Sequence, residues 1–241
     1  MFRQIARLGA LALATVIACD GGPTTPGETA FTFDFAEGPQ AWTAGFANYP
    51  TNADPRVFEL IDDFRPLPEP LGPSRRALFL QGPGPGLFMF YKRRVEGLAP
   101  ARWYRAAFEV EIATNVPFGI CRPTMDPEYT VYVKVGGSPM EPVTGPDAQG
   151  IVRVTLDIGA APVSDGRDAI ALGTIENSQS CPPGVFVERR WELKTLRSGS
   201  RTVRVRSDAR GGLWLTAGTH SDVLGPTMLY FTRFGATFAP D

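Results

Sequence analysis

From Ala30 onward, apolar and polar positions alternate with a period of two. Phe31, Phe33 and Phe35 alternate with Thr32 and Asp34, and Leu78 and Leu80 with Phe79 and Gln81. Phe108, Val110 and Ile112 alternate with Glu109 and Glu111, and Val131, Val133 and Val135 with Tyr132 and Lys134. The same holds for Val203 and Val205 with Arg204 and Arg206, Leu213 and Leu215 with Trp214 and Thr216, and Leu229 and Phe231 with Tyr230 and Thr232. Successive side chains of a strand point to opposite faces, so this pattern predicts strands with one face on a core and one toward water. Strands are expected near 30–35, 57–61, 76–81, 87–95, 102–114, 129–136, 151–157, 185–195, 201–206, 212–218 and 227–238. Gly82-Pro83-Gly84-Pro85-Gly86, Gly136-Gly137-Ser138-Pro139 and Gly211-Gly212 punctuate them. No segment beyond residue 18 carries a period of 3.6, and no internal repeat is present. The pattern predicts an all-β fold, a single β-sandwich of jelly-roll type, with long loops around 115–128 and 160–184.

The first residues follow another rule. Arg3 and Arg7 precede an apolar run of 11 residues, Leu8–Ala18, and no acidic residue occurs before Asp20. A bilayer core takes about 20 residues, so the run fits the apolar region of a secretory signal instead. Val16-Ile17-Ala18-Cys19 then resembles the bacterial lipobox. The resemblance implies cleavage before Cys19 and acylation of Cys19, with membrane lipid as the first expected partner. One acyl chain anchors marginally and two hold firmly. Residues 20–28, DGGPTTPGE, offer nothing apolar to bury and read as a tether. The expected organisation is a lipoprotein signal peptide over 1–18, acylated cysteine and tether over 19–29, and the sandwich over 30–241. The expected location is outside the cytoplasm, anchored to a bacterial membrane and facing the periplasm or the cell surface.

Export changes the reading of the remaining cysteines. With Cys19 committed to lipid, Cys121 and Cys181 are an even pair in an oxidising compartment, and a disulfide between them is expected. Without residues 1–18 the chain carries 22 basic and 25 acidic residues, a net charge of −3. A basic stripe for nucleic acid is therefore not expected.

Catalytic chemistry finds little footing. His220 is the only histidine. Thr219-His220-Ser221-Asp222 sets triad residue types side by side in sequence, whereas a triad converges in space. Asp62-Asp63, Glu109 with Glu111, and Asp126 with Glu128 are carboxylate pairs of a kind any chain with this many acids contains. The prolines in Gly82–Gly86 remove the N–H donors that a phosphate cradle requires. If the valines of 131–135 face the core, Tyr132 and Lys134 face away, and Trp214 and Tyr230 follow by the same parity. Aromatic rings on an outward sheet face, flanked by charge, suit stacking against sugar rings. Tyr132, Lys134 and Trp214 are the expected ligand-binding residues, while Trp42 and Trp103 are expected in the core or under loops.

Three stretches together carry a resemblance: FTFDFAEGPQAWTAGFANYP (31–50), VYVKVGGSP (131–139) and LWLTAGTHSD (213–222). They resemble a loosely defined group of bacterial secreted lipoproteins. The first also resembles the opening strand of jelly-roll carbohydrate-binding modules, in which a phenylalanine-rich strand leads to Gly-x-x-x-Trp, here Gly38 to Trp42. The group's third stretch usually reads Gly-Thr-Asp-Ser-Gly, so His220 stands where an aspartate is expected. The resemblance implies a β-sandwich more than an activity; the sandwich pattern, the outward aromatics and the lack of a catalytic constellation make a non-catalytic binding module for carbohydrate or another envelope component the expected function. A structural calcium ion, with Asp34 and Asp222 as the acids at hand, is the one cofactor the resemblance raises. The alternative is an interaction subunit of an envelope protein complex, whose aromatics would form a docking patch.

Overall fold

The computed structural model describes residues 27–54, 58–119, 131–180, 182 and 187–241. Among these residues fifteen strands follow in order: β1 (Thr29–Asp34), β2 (Thr43–Ala47), β3 (Tyr49–Pro50), β4 (Ile61–Pro66), β5 (Arg76–Pro83), β6 (Phe88–Val95), β7 (Trp103–Thr114), β8 (Val131–Ser138), β9 (Thr144–Pro146), β10 (Ile151–Val154), β11 (Ala169–Thr174), β12 (Glu192–Arg197), β13 (Val203–Arg206), β14 (Leu213–Ser221) and β15 (Pro226–Pro240). No α-helix occurs among the described residues; one 3₁₀ turn, Phe35–Glu37, follows β1.

Two antiparallel sheets make a β-sandwich of jelly-roll type, the chain passing repeatedly from one to the other. The first has the order β12-β7-β15-β5-β4, with β1 beside the second half of β15 and β13 beside the first part of β7. The second has the order β11-β8-β14-β6-β2. Between them lies one apolar core, including Val131, Val133, Val135, Leu213, Leu215, Phe231 and Phe234. Trp42 lies edge-on to Phe33, Phe35 and Phe234 at centroid distances of 5.5, 5.8 and 5.0 Å. The Gly38–Trp42 motif thus delivers a core residue, as expected for Trp42.

A bulge in β15 explains why its apolar parity changes. Leu229 and Phe231 face the core, then the register shifts between Phe231 and Arg233, and Phe234, Ala236 and Phe238 take over the inward face. An extra residue flips every later side chain. Thr232, the residue inserted, donates its hydroxyl to the Glu111 carbonyl (3.0 Å) and carboxylate (2.7 Å).

Residues 139–168 join two neighbouring strands, β8 and β11, yet do not form a simple hairpin loop. β9 and β10 lie in this stretch and join β3 in a small sheet of order β3-β10-β9. Leu156 and Ile158, with Val154 beside them, pack on Ala47, Phe88, Phe90 and Ala169. The segment is a lid on the outer face of the second sheet. It corrects the expectation that this face is open. β11 also replaces part of the loop expected over 160–184. β4 and β12 begin later than the strands expected at 57–61 and 185–195, and β2, β3 and β9 were not expected.

Candidate functional site

Cross-strand register arranges the outer face of the second sheet in rows. Tyr132 pairs with His220 and His220 with Phe88; Lys134 pairs with Gly218; Gly136 and Lys92 flank Thr216; Ser138 and Arg94 flank Trp214. Tyr132, Lys134 and Trp214 therefore do share one face, as their parity predicts. The lid separates them. Tyr132 is half-buried at one end, Trp214 is half-buried at the other, and Lys134 is fully buried between them. The solvent-facing lysine expected from the alternation is corrected: Lys134 Nζ donates to the carbonyls of Ile158 (2.9 Å), Ala161 (3.2 Å) and Ser164. Burial pulls its pKa down to about 8, opposed by Asp165, so the ammonium form prevails at neutral pH.

Two other aromatics depart from expectation. Tyr230 is on the outer face of the first sheet but is buried, with Trp191 edge-on at 5.2 Å and Phe79 at 4.9 Å. Trp103 is 40% exposed, with the Arg204 guanidinium 4.3 Å above its ring. The ring face of Trp214 meets the Lys92 ammonium at 5.6 Å, and that ammonium is held by Glu141 (2.7 Å) and the Pro142 carbonyl (2.6 Å).

Where the lid meets the Tyr132–His220 row, it leaves an open cleft of about 500 Å³. Asn48, Arg153, Thr155, Asp157, Arg167 and His220 supply its polar lining, with Leu156 and Ile158 among the apolar residues. Sequence reasoning named only His220 of these. The polar groups are braced from behind. Arg153 donates to Asp147 (2.9 Å) and to the Asn48 side-chain carbonyl (3.1 Å). Arg167 grips Asp168 with two donors, at 3.1 and 3.0 Å. Asp157 accepts from the Gly159 N–H (3.1 Å), and this bond, with one from the Arg167 N–H, holds its carboxyl below the usual range. Bonds from the Ile151 N–H and from Arg153 lower Asp147 likewise.

His220 is buried in the cleft floor, and its Nδ1 has no hydrogen-bond partner among the described residues. Burial, reinforced by the Lys134 charge, pushes its pKa down to about 4 against a hydrogen bond to the Gly86 backbone. The imidazole is thus neutral at physiological pH, and among the described residues it has no orienting carboxylate of the kind a triad needs. Ser221, next in sequence, points to the opposite face and pairs its hydroxyl with Thr227 (3.3 Å).

Several of the other carboxylate candidates have structural partners. Asp63 is paired with Arg65 (3.0 Å) and Glu109 with Arg197 (2.6 Å). Asp34 caps the 3₁₀ turn by accepting from the Ala36 N–H (2.9 Å). No group of three or more His, Cys, Asp or Glu suited to a metal ion occurs among the described residues. Cys19, Cys121, Cys181, Asp126 and Glu128 lie outside the described residues.

No family model and no curated protein matches the chain. Among solved structures, it is similar to the K1 cleaved adhesin domain of Lys-gingipain from Porphyromonas gingivalis, at 11% identity over 88% of this chain and 99% of that one, with a TM-score of 0.39. It is similar to a carbohydrate-binding module described for specific mannan recognition, at 12% identity over 86% and 97%, with a TM-score of 0.35. It is also similar to the enzymatically active domain of a bacteriophage CBA120 tailspike protein, at 11% identity and a TM-score of 0.34, covering 84% of this chain but 20% of that one. Likeness at this level says nothing of what the chain binds or does.

Proposed function

We propose that the chain is an exported lipoprotein, anchored through acylated Cys19, whose β-sandwich is a non-catalytic carbohydrate-binding module with its ligand site in the cleft beside His220. The observation that carries the reading is the bracing of the cleft. Arg153, Arg167 and Asp157 are each held in orientation by a second group, so little side-chain freedom is lost when a ligand arrives. Both arginines stand against carboxylates, and His220 is neutral, so the cleft offers directed hydrogen bonds more than a net charge. Fixed polar groups beside Leu156 and Ile158 suit a ring with hydroxyls at its edge and C–H groups on its face.

A glycan array probed with the soluble domain tests this. Binding should appear for a defined glycan set and fall at least tenfold in Asp157→Asn and Arg153→Gln, with the melting temperature kept within a few degrees. A silent array overturns the reading. Mass spectrometry of the membrane-extracted protein should show cleavage before Cys19 and acyl chains on it.

A docking role is the second reading. It is favoured by Met140, 72% exposed, and Val143, 49% exposed, on the lid segment near Trp214. Mild-detergent extraction should then recover one envelope protein with the chain, and its loss on Met140→Glu would identify the surface.

A further inference from the structure

Lys134 is an unusual residue to find under a lid. Its side chain is 0% exposed on the outer face of β8, and its ammonium meets three main-chain carbonyls that all come from one loop, at 158, 161 and 164. Lysine has three N–H donors and no acceptor, so these bonds use its whole capacity. Backbone carbonyls converging on one point, with a carboxylate nearby, are the donor set of a hard cation site. Here the acid is Asp165, itself gripped by Arg201 at 2.6 and 2.5 Å and accepting from the Ala171 N–H at 2.9 Å. The loop is folded tightly around the ammonium. Gly159 has a φ of +85°, and a Cβ there would run into the Ser164 carbonyl. The Ser164 hydroxyl closes the turn on Ala161, accepting from its N–H at 2.8 Å and donating to its carbonyl at 2.9 Å.

The same loop is the wall of the cleft. Asp157, Ile158, Gly159 and Ala160 line it, and the Ile158 carbonyl is one of the three that Lys134 holds. We propose that the Lys134 ammonium is the resident cation of this loop and the positioning group of the cleft: it does the work of a bound metal ion and fixes the wall on which ligand recognition depends. His220, Asp165 and Arg201 are the other charged or titratable groups that act on this point. A β8 residue thereby sets the shape of a segment that follows it by more than twenty positions. The ligand consequence rests on the cleft being the glycan site; the loop consequence does not.

The test uses Lys134→Met, which keeps the side chain as far as Cε and removes the charged nitrogen, and Lys134→Ala, which leaves the carbonyls facing a larger void. In Lys134→Met, amides of 157–168 should exchange with deuterium at least tenfold faster while those of β14 keep their protection, and glycan affinity should fall at least tenfold. In Lys134→Ala, methylammonium should restore loop protection in a saturable way and methanol, similar in size but uncharged, should not, a charge-dependent rescue that a merely space-filling role would not give. Unchanged loop protection in Lys134→Met, or no rescue, overturns the proposal. Should the variants fail to fold, the wild-type protein decides: NMR should show the Lys134 ammonium protected from exchange and coupled through hydrogen bonds to carbonyls 158, 161 and 164, and an exchanging, uncoupled ammonium overturns it. A loop that loosens in Lys134→Met while wild-type protein binds no glycan supports Lys134 and refutes the carbohydrate reading alone.

Discussion

Tyr132 and Trp214 lie on the same face of the same sheet, yet Tyr132 pairs with His220 and Trp214 with Ser138, at opposite ends of β14. At about 3.4 Å per residue, the six-residue step from Trp214 to His220 sets the two rows roughly 20 Å apart. The lid fills the gap, with Lys134 beneath it.

Trp214 should therefore be separable from the cleft. Trp214→Ala is expected to cost about 1–2 kcal/mol of stability, since its ring is only half-buried, and to leave glycan affinity within about twofold. Tyr132→Ala, next to His220, should weaken binding more. Isothermal titration and urea unfolding of the two variants measure both quantities. Loss of binding in Trp214→Ala alone would move the site to the far end of the sheet.

Local alternation was enough to read most of the sandwich. It put Val131, Val133 and Val135 on the core and Tyr132, Lys134 and Trp214 on the other face. It could not show what covers that face, because the lid comes from 139–168 and is held by contacts distant in sequence. β11 escaped for a related reason: Ala169-Ile170-Ala171 is buried at every position and does not alternate. Trp103 was legible in principle, since Tyr104, Ala106, Phe108 and Val110 face inward and the same parity sends Trp103 outward. Parity from Leu213 likewise puts His220 on the outer face. Asn48, Arg153, Asp157 and Arg167 carry no motif, and only the folded lid brings them to one cleft.

Acid should destabilise the protein through His220. Its pKa falls from the usual 6.5 to about 4 on folding. Between those values the unfolded chain binds a proton that the folded chain does not, so stability decreases as pH drops from 6.5 toward 4 and this contribution levels off below. The full span is at most about 3 kcal/mol. Because this is the only histidine, His220→Gln isolates the effect. With each protein referenced to its own stability at pH 7.5, the wild type should lose more than the variant between pH 6.5 and 4. Parallel curves would mean that the imidazole is not held neutral by burial.

Gly136 marks where the sheet and the end of the lid approach most closely. Gly137 N–H donates to the Asp168 carbonyl at 3.0 Å, and a Cβ on Gly136 would collide with that same carbonyl and sit 2.7 Å from Ala169 Cα. Both are backbone atoms that no rotamer change can move. Gly136→Ala should cost roughly 2–4 kcal/mol or unseat the β8–β11 junction. Gly145→Ala, where nothing lies within 4 Å of the added carbon, should be close to neutral. Chemical unfolding of the pair, with exchange protection at Asp168 and Ala169, is the comparison to make.

Phe118 and Ser180 form an isolated parallel bridge, with the Phe118 N–H donating to the Gln179 carbonyl at 2.8 Å. The bridge joins Phe118, three residues before Cys121 in the sequence, to Ser180, one residue before Cys181. A disulfide between the two cysteines is the expected outcome in an oxidising compartment. Protein secreted into the periplasm should be about two hydrogens lighter before reduction than after it, with no thiol reactive toward a maleimide once Cys19 is acylated. Closing a loop of this length contributes about 4 kcal/mol in the chain-entropy picture. Cys121→Ser and Cys181→Ser should therefore each lower stability by a similar amount, and the double variant should lose no more than either single one. Additive losses would show that the two thiols act separately.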